Sequence, residues 1–218
     1  MKKMNYKTAI FDLDGTVTDS GPGIMNAIRY AVKKRGLPEV SEEVLRSFIG
    51  PPLKEQFQSV FGLSDEEGTV MVATYREYYG EKGIFENRVY DGVPEVFQKL
   101  QKAGVRILMA TSKPEKYAKQ IAEHFGFSQY FDFIGGACMD GRRTDKHEVI
   151  EYVIDRCKVC RESAVMVGDR RHDIIGASKA GIHSIGVLYG YGSREELQKA
   201  GAEMIAVTPD DITRLILQ

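Results

Sequence analysis

The chain has 218 residues, of which 43% are hydrophobic, and it carries a formal net charge of −1. Such a chain can bury a core in one large domain or in a domain with a smaller insertion, and the lack of a basic excess argues against a nucleic-acid partner. Three cysteines predict no disulfide framework, and the sequence shows neither a signal-peptide pattern nor an apolar run of about 18 residues, so we expect a cytoplasmic protein that does not contact a membrane.

Short apolar segments that end in polar residues predict the strands of a buried sheet, and segments with helical apolar spacing lie between them. The predicted strands are residues 8–11, 105–110, 131–135, 164–167, 183–187 and, at an edge, 204–207. The predicted helices between them are residues 94–103, 114–125, 147–157 and 174–180. This alternation predicts an α/β fold with a parallel sheet and helices on both faces.

Residues 19–84 interrupt the alternation because they contain no strand pattern. Four helical segments are predicted there, at residues 24–35, 41–49, 53–61 and 64–79, followed by a return linker at residues 80–83. We therefore predict two domains. One is a catalytic core of residues 1–18 and 85–218, and the other is a helical domain of residues 19–84.

Acidic residues follow two of the predicted strands. Asp12 and Asp14 follow the first strand, and Asp169 and Asp173 follow the fourth. Because the carboxyl ends of parallel strands meet at one edge of the sheet, we expect these carboxylates to converge. Taken singly, each pattern is also typical of an Asx turn or a helix start, and only their joint placement favours a site. Clustered carboxylates repel one another, and Mg²⁺ relieves that repulsion.

Basic and hydroxyl side chains at the same predicted edge favour a phosphate-bearing substrate. Magnesium in proteins binds few carboxylates and often completes its shell with substrate phosphate. The hydroxyl of Thr111, together with Lys146 or Lys113, can orient and neutralise phosphate oxygens. The residue types leave open which lysine performs this role.

Four segments together resemble the motifs of the haloacid dehalogenase-like hydrolase superfamily. They are residues 11–17 (FDLDGTV), residues 111–114 (TSKP), Lys146 and residues 168–177 (GDRRHDIIGA), in the family's order. The helical segment after the first motif resembles the cap of phosphoglycolate-phosphatase-like members. The resemblance implies a Rossmann-like parallel sheet core with an inserted four-helix cap domain.

The resemblance also implies the catalytic residues. Asp12 would attack phosphorus and form an acyl phosphate. Asp14 would protonate the leaving alcohol and then activate water, which favours C–O–P esters over alkyl halides or phosphonates. Thr111 would donate to the transferring phosphoryl group, and Lys146 would offset its charge.

The implied ligands of Mg²⁺ are Asp12, Asp14 through its main-chain carbonyl, Asp169, and Asp173 either directly or through water. The implied substrate contacts are the main-chain N–H groups of Leu13 and Ser112 and, in the cap, Gly50. Lys113 and, in the cap, Arg46 are further candidates for contact with anionic groups of the substrate, although both side chains also fit a surface position.

Together these features predict a Mg²⁺-dependent phosphatase for a small phosphate ester, acting as a monomer or homodimer. Phosphoglycolate is the first substrate that the resemblance suggests. The alternatives within the same scaffold are a 5′-nucleotidase, a pyrophosphatase and a phosphomutase of the β-phosphoglucomutase type. A non-catalytic phosphate-binding protein is disfavoured because the motif residues are intact.

Overall fold

A computed structural model describes residues 6–218 of the chain. Its strands are β1 (Thr8–Phe11), β2 (Arg106–Pro114), β3 (Phe133–Ala137), β4 (Ala164–Gly168), β5 (His183–Val187) and β6 (Met204–Ala206). Its α-helices are α1 (Gly21–Lys34), α2 (Glu42–Arg46), α3 (Leu53–Phe61), α4 (Asp65–Tyr78), α5 (Val93–Lys102), α6 (Glu115–His124), α7 (Lys146–Cys157), α8 (Arg171–Lys179), α9 (Arg194–Lys199) and α10 (Pro209–Leu217). None of these helices is long and apolar enough to cross a membrane.

The six strands form one parallel sheet in the order β3-β2-β1-β4-β5-β6. This is a doubly wound order, in which the chain changes direction across the sheet between β1 and β4. The crevice beyond the carboxyl ends of strands at such a switch point is where these folds bind ligands. The predicted α/β fold class is confirmed.

Side chains on neighbouring strand positions point to opposite faces of the sheet and pack against different helices. Ile10 and Leu108 belong to a buried cluster with residues of α7 and α8, such as Val149 and Ala177. Phe11, the neighbour of Ile10, instead lies edge-to-face with Phe97 of α5, with ring centroids 5.2 Å apart. Both faces are therefore covered, which explains the continuously apolar strands.

The chain forms two compact units, residues Met1–Thr18 with Val89–Gln218 and residues Asp19–Arg88. The first contains the sheet and is called the sheet unit, and the second contains α1–α4 and is called the helical unit. The domain boundary predicted at residues 84 and 85 lies inside the helical unit.

Glu86 explains why the helical unit continues past residue 84. Its carboxylate accepts hydrogen bonds from Asn26 of α1 at 2.9 Å and from Tyr78 of α4 at 2.8 Å. Its carbonyl also accepts a hydrogen bond from the N–H of Gly23. The predicted linker at residues 80–83 instead belongs to a π-helical turn, Tyr79–Gly83, that continues α4.

Candidate active site

The first acidic loop makes a tight turn directly after β1. The N–H of Asp12 donates to the carbonyl of Val167 on β4, so Asp12 lies at the switch point of the sheet. The carbonyl of Leu13 then accepts hydrogen bonds from the next turn, including the N–H of Val17. Gly15 has a φ of +83°. A Cβ at Gly15 would lie 2.2 Å from an oxygen of Asp169, so the position requires glycine for both backbone conformation and space.

Lys146 is a buried cation that pairs with carboxylates of the site. It is the first residue of α7, whose N-cap Asp145 accepts a hydrogen bond from the N–H of His147 at 2.8 Å. The ammonium of Lys146 donates to Oδ1 of Asp12 at 2.6 Å and to the carbonyl of Ala110 at 3.2 Å. It also forms an ion pair with Oδ1 of Asp173 at 2.8 Å. The structure thus places one buried cation between carboxylates from two different loops.

Asp169 and Asp173 come from the β4–α8 connection. Asp169 directly follows β4 and is fully buried, and its Oδ2 accepts a hydrogen bond from the N–H of Tyr191 at 2.7 Å. Asp173 lies in the first turn of α8, and its Oδ2 accepts a hydrogen bond from the N–H of Arg170 at 3.0 Å. Both carboxylates are therefore held by main-chain donors, which fix their orientation.

Three carboxylates of this region are suited to a metal ion. Asp12, Asp169 and Asp173 each offer an oxygen, and these three oxygens lie within 4.8 Å of one another. All three residues are buried. A compact all-oxygen set of this kind fits a hard divalent cation. The cluster can hold such an ion, and the predicted metal role of the main-chain carbonyl of Asp14 stays a prediction.

The pKa values of the cluster reflect burial and crowding. Burial raises the pKa of Asp12 to about 6, an effect that Lys146 opposes and Asp173 increases. Burial, together with the charges of Asp173 and Asp12, raises the pKa of Asp169 well above its usual range. Burial alone would lower the pKa of Lys146, but its two carboxylate partners outweigh burial and raise it. The raised pKa values of Asp12 and Asp169 show that Lys146 does not fully offset the burial and mutual repulsion of the carboxylates. Binding of a divalent cation is therefore electrostatically favoured.

The carboxyl end of β2 brings the second set of predicted residues to the site. Thr111 is buried, and its hydroxyl accepts a hydrogen bond from the N–H of Lys113 at 3.2 Å. Ser112 between them is partly buried. The ammonium of Lys113 lies 2.9 Å from Oδ2 of Asp14, and both side chains are largely buried. Lys113 therefore faces the acidic loop, and its predicted contact with substrate stays a prediction.

The comparison with known proteins agrees with this geometry. The family model described as haloacid dehalogenase-like hydrolase matches residues 9–187, which is more than half of the chain. The chain belongs to this family. The resemblance drawn from the four motifs is confirmed, and all four lie within the matched residues.

Relatives of this chain have several names. A 5′-nucleotidase from Pseudomonas aeruginosa is 41% identical over 89% of this chain and 88% of its own length. Tyrosine-protein kinase PtkA from Mycobacterium tuberculosis is 38% identical over 93% of this chain and 70% of its own. A phosphoglycolate phosphatase from Vibrio parahaemolyticus is 28% identical over 99% and 98%.

A solved structure supports the same class. The crystal structure of a predicted phosphatase from Clostridium acetobutylicum superposes with a TM-score of 0.94 at 42% identity, covering 98% of this chain and 99% of that one. Together with the family model and the relatives named phosphatases, it confirms the predicted enzyme class, a phosphoric monoester hydrolase.

Two predicted substrate-binding residues lie in the helical unit. Arg46 ends α2 and is exposed, and Gly50 lies in the connection to α3 with a φ of +108°. Their predicted contact with substrate stays a prediction.

The loop after β5 is a part of the site that the predicted residues do not include. It supplies the N–H that donates to Asp169, although its sequence fits a pocket border and a surface turn equally well. Its two glycines, which follow the carboxyl end of a strand, are the sequence feature that indicates a close approach to the site.

Metal binding is expected to stabilise the protein, and Asp169→Asn is expected to abolish that effect. Mg²⁺ at about one hundred times its Kd adds about 2.7 kcal/mol to the folded state. For a chain of this size, that amounts to about 5–10 °C in Tm. Differential scanning calorimetry with and without Mg²⁺ measures the shift. Without metal, Asp169→Asn should melt no lower than the wild type, because it removes one of the repelling charges.

Asp132→Asn is the matched control for Asp169→Asn. Asp132 is exposed and pairs with Arg106 at 3.1 Å, outside the carboxylate cluster. This variant should keep the full Mg²⁺ shift. An equal Mg²⁺ shift in Asp169→Asn and in the wild type would contradict the assignment of Asp169 as a metal ligand.

Proposed function

We propose that this protein is a Mg²⁺-dependent phosphatase that cleaves small phosphomonoesters through a transient aspartyl-phosphate on Asp12. One observation carries the proposal: Asp12 lies in a buried cluster with Asp169 and Asp173, and Lys146 is 2.6 Å from its Oδ1. Such a site can balance the charge of a phosphoryl group next to a carboxylate nucleophile, a combination that a structural ion pair does not require.

In the first half-reaction, an ionised oxygen of Asp12 attacks phosphorus. The P–O bond to the alcohol breaks, and Asp14 donates the proton that the leaving alkoxide needs. Asp14 must be protonated to act as this acid. The contact with Lys113 at 2.9 Å orients its side chain within the loop that also carries Asp12. The products are the alcohol and an acyl phosphate on Asp12.

In the second half-reaction, water attacks the phosphorus of the acyl phosphate. Asp14, now ionised, takes a proton from this water. The bond between phosphorus and the carboxylate oxygen breaks, inorganic phosphate forms, and Asp12 returns to its carboxylate state. The two half-reactions divide one difficult hydrolysis into two steps of lower barrier.

Positive charge and hydrogen-bond donors surround the transferring group. Lys146 offsets negative charge, Thr111 donates its hydroxyl proton, and the N–H groups of Leu13 and Ser112 supply further donors. Asp12, Asp169 and Asp173 would hold Mg²⁺, with the main-chain carbonyl of Asp14 as a further ligand. When bound, Mg²⁺ would supply positive charge to the phosphate oxygens and would offset carboxylate repulsion.

Two substrates are the leading candidates, and named relatives support each of them. Phosphoglycolate is favoured by the subfamily resemblance and by relatives named phosphoglycolate phosphatase at 27–29% identity. A nucleoside 5′-monophosphate is favoured by the relative named 5′-nucleotidase at 41% identity. Both substrates are phosphomonoesters of an alcohol, so both use the same residues of the sheet unit.

The test is phosphate release from a substrate panel, measured with Mg²⁺ and with chelator. The panel contains phosphoglycolate, nucleoside 5′-monophosphates, pyrophosphate and β-glucose 1-phosphate, with ATP and a tyrosine peptide as a separate kinase assay. Mg²⁺-dependent release from one monoester is the expected result and identifies the substrate. Isomerised sugar phosphate or a phosphorylated peptide, without net hydrolysis of any monoester, would overturn the proposal.

Asp14→Asn is expected to separate the two half-reactions. p-Nitrophenyl phosphate has a good leaving group that needs little protonation, so attack by Asp12 should survive the change. Hydrolysis of the acyl phosphate should slow by about 10²-fold or more because the base is lost. Stopped-flow measurement should show a burst of about one p-nitrophenol per enzyme, followed by slow turnover.

A steady rate without a burst, equal to that of the wild type, would rule out Asp14 as the base. Asp91→Asn is a suitable control because Asp91 is exposed and belongs to the same unit. This variant should turn over as the wild type does.

A further inference from the structure

The loop after β5 contacts the metal-binding region through its main chain. Residues 189–192, with the sequence Tyr-Gly-Tyr-Gly, form what we call the YGYG segment. The N–H of Tyr191 donates to Oδ2 of Asp169 at 2.7 Å, which is short for a hydrogen bond between an amide and an oxygen. A carboxylate has about four lone-pair positions, so this bond leaves Asp169 able to bind a cation.

The glycines of the YGYG segment allow a close approach that no other residue permits. A Cβ on Gly190 would lie 2.2 Å from the carbonyl oxygen of Gly15 and 2.5 Å from Cβ of Asp169. A Cβ on Gly192 would lie 1.8 Å from the carbonyl oxygen of Asp169. Most of these contacts are with backbone atoms, which cannot rotate away as a long side chain can. The YGYG segment is therefore packed directly against both acidic loops.

Tyr189 anchors the same segment to the first acidic loop. Its hydroxyl donates to the carbonyl of Thr16 at 2.9 Å, and its ring lies edge-on to Tyr90 with centroids 5.1 Å apart. The hydroxyl of Thr16 in turn lies 3.4 Å from Oδ1 of Asp169. Contacts from both sides thus restrict rotation of the Asp169 carboxylate.

We propose that the YGYG segment is a positioning element that sets the orientation of Asp169 for divalent cation binding. The proposal rests on the metal site of the proposed function and adds a fifth segment to the four motif segments. Groups that orient a metal ligand affect cation affinity without touching the ion. The segment should therefore control the affinity for the cation more than the stability of the fold.

The test is Mn²⁺ binding to the intact, chelator-treated protein, with the free ion followed by electron paramagnetic resonance. Mn²⁺ prefers the same oxygen ligands as Mg²⁺ and gives a signal without turnover. Gly190→Ala is expected to raise the Mn²⁺ Kd at least about tenfold. Tyr189→Phe keeps the ring but loses the hydroxyl bond, and it is expected to raise the Kd about threefold.

Gly186→Ala is the matched control. Gly186 lies within β5, and a Cβ there would meet a side-chain carbon of Leu197 at 2.9 Å and no residue of the carboxylate cluster. This variant should lose stability but keep the Mn²⁺ Kd within about twofold of the wild type. Weaker Mn²⁺ binding in all three variants, in proportion to their loss of Tm, would overturn the proposal.

Each remaining outcome also decides the proposal. An unchanged Kd in folded Gly190→Ala, or in Tyr189→Phe if Gly190→Ala does not fold, would overturn it, as would a wild type that binds no Mn²⁺. A wild type that binds Mn²⁺ but releases no phosphate would refute the proposed function. The positioning role would stand in that case if the variants weaken binding as expected.

Discussion

Replacing Asp12 with asparagine is expected to abolish Mg²⁺-dependent phosphate release, with a loss of at least about 10⁴-fold in kcat. An amide is a poor nucleophile and cannot form the acyl phosphate on which both half-reactions depend. The side chain keeps nearly the same size, and an oxygen remains to accept the hydrogen bond that Lys146 donates at 2.6 Å. The loss should therefore come from chemistry while the fold is retained.

The measurement is steady-state phosphate release on the best substrate of the panel, with circular dichroism to verify folding. Asp210→Asn makes the same chemical change at an exposed residue, which pairs with Lys99 at 2.6 Å. That variant should be as active as the wild type. A folded Asp12→Asn protein that retains more than about one hundredth of wild-type kcat would refute Asp12 as the nucleophile.

Sequence patterns were sufficient to predict the sheet because its strands are buried on both faces. A continuously apolar run bounded by polar residues is a strong signal, and the predicted strand at residues 183–187 matches β5 residue for residue. β2 is longer than predicted because its pairing with β3 continues, with an irregular register, from Thr111 to Pro114. The polar residues there indicate a strand end at residue 110 when only the sequence is read.

The shorter helices near the C-terminal end of the described chain differ from the sequence-based prediction. α9 has only six residues, too few for a clear apolar period. α10 is not among the predicted helices, although Thr208 and Asp211 form a capping box at its start. That pattern, with Pro209 in the first turn, is a recognisable helix start. Residues 80–83, predicted as a linker, contain two glycines, which usually break helices, but they lie within the π-helical turn Tyr79–Gly83.

In the candidate site, sequence patterns predict which side chains meet but not which main-chain groups bind them. Convergence of Asp12, Asp169 and Asp173 follows from parallel strands, and the structure brings the three together. The two lysines could not be ranked from residue type. The structure places Lys146 beside Asp12 and Lys113 beside Asp14. The N–H of Tyr191 was not predictable as a donor to Asp169, because every residue except proline has an N–H and sequence does not show where it points.

Lys146→Met is expected to destabilise the sheet unit strongly. The wild-type ammonium is buried and lies within 2.8 Å of two carboxylates. Removing one partner of a buried ion pair leaves uncompensated charge and costs about 3–5 kcal/mol. The expected result is a free energy of unfolding lower by about this amount in chelator. Urea denaturation measures it, and Lys99→Met, which breaks an exposed pair, should leave the urea midpoint unchanged.

The cause of the Lys146→Met effect can be isolated by combining it with Asp173→Asn. If repulsion between unpaired carboxylates is the cause, the double variant should be less destabilised than the sum of the single variants, with a coupling of about 1 kcal/mol or more. Mg²⁺ should recover part of the stability of Lys146→Met, because the cation takes over charge balance in the cluster. Activity should stay about 10²-fold or more below the wild type even with Mg²⁺, because no group replaces the ammonium beside Asp12. Additive effects on stability would instead exclude repulsion involving Asp173 as the cause of the destabilisation.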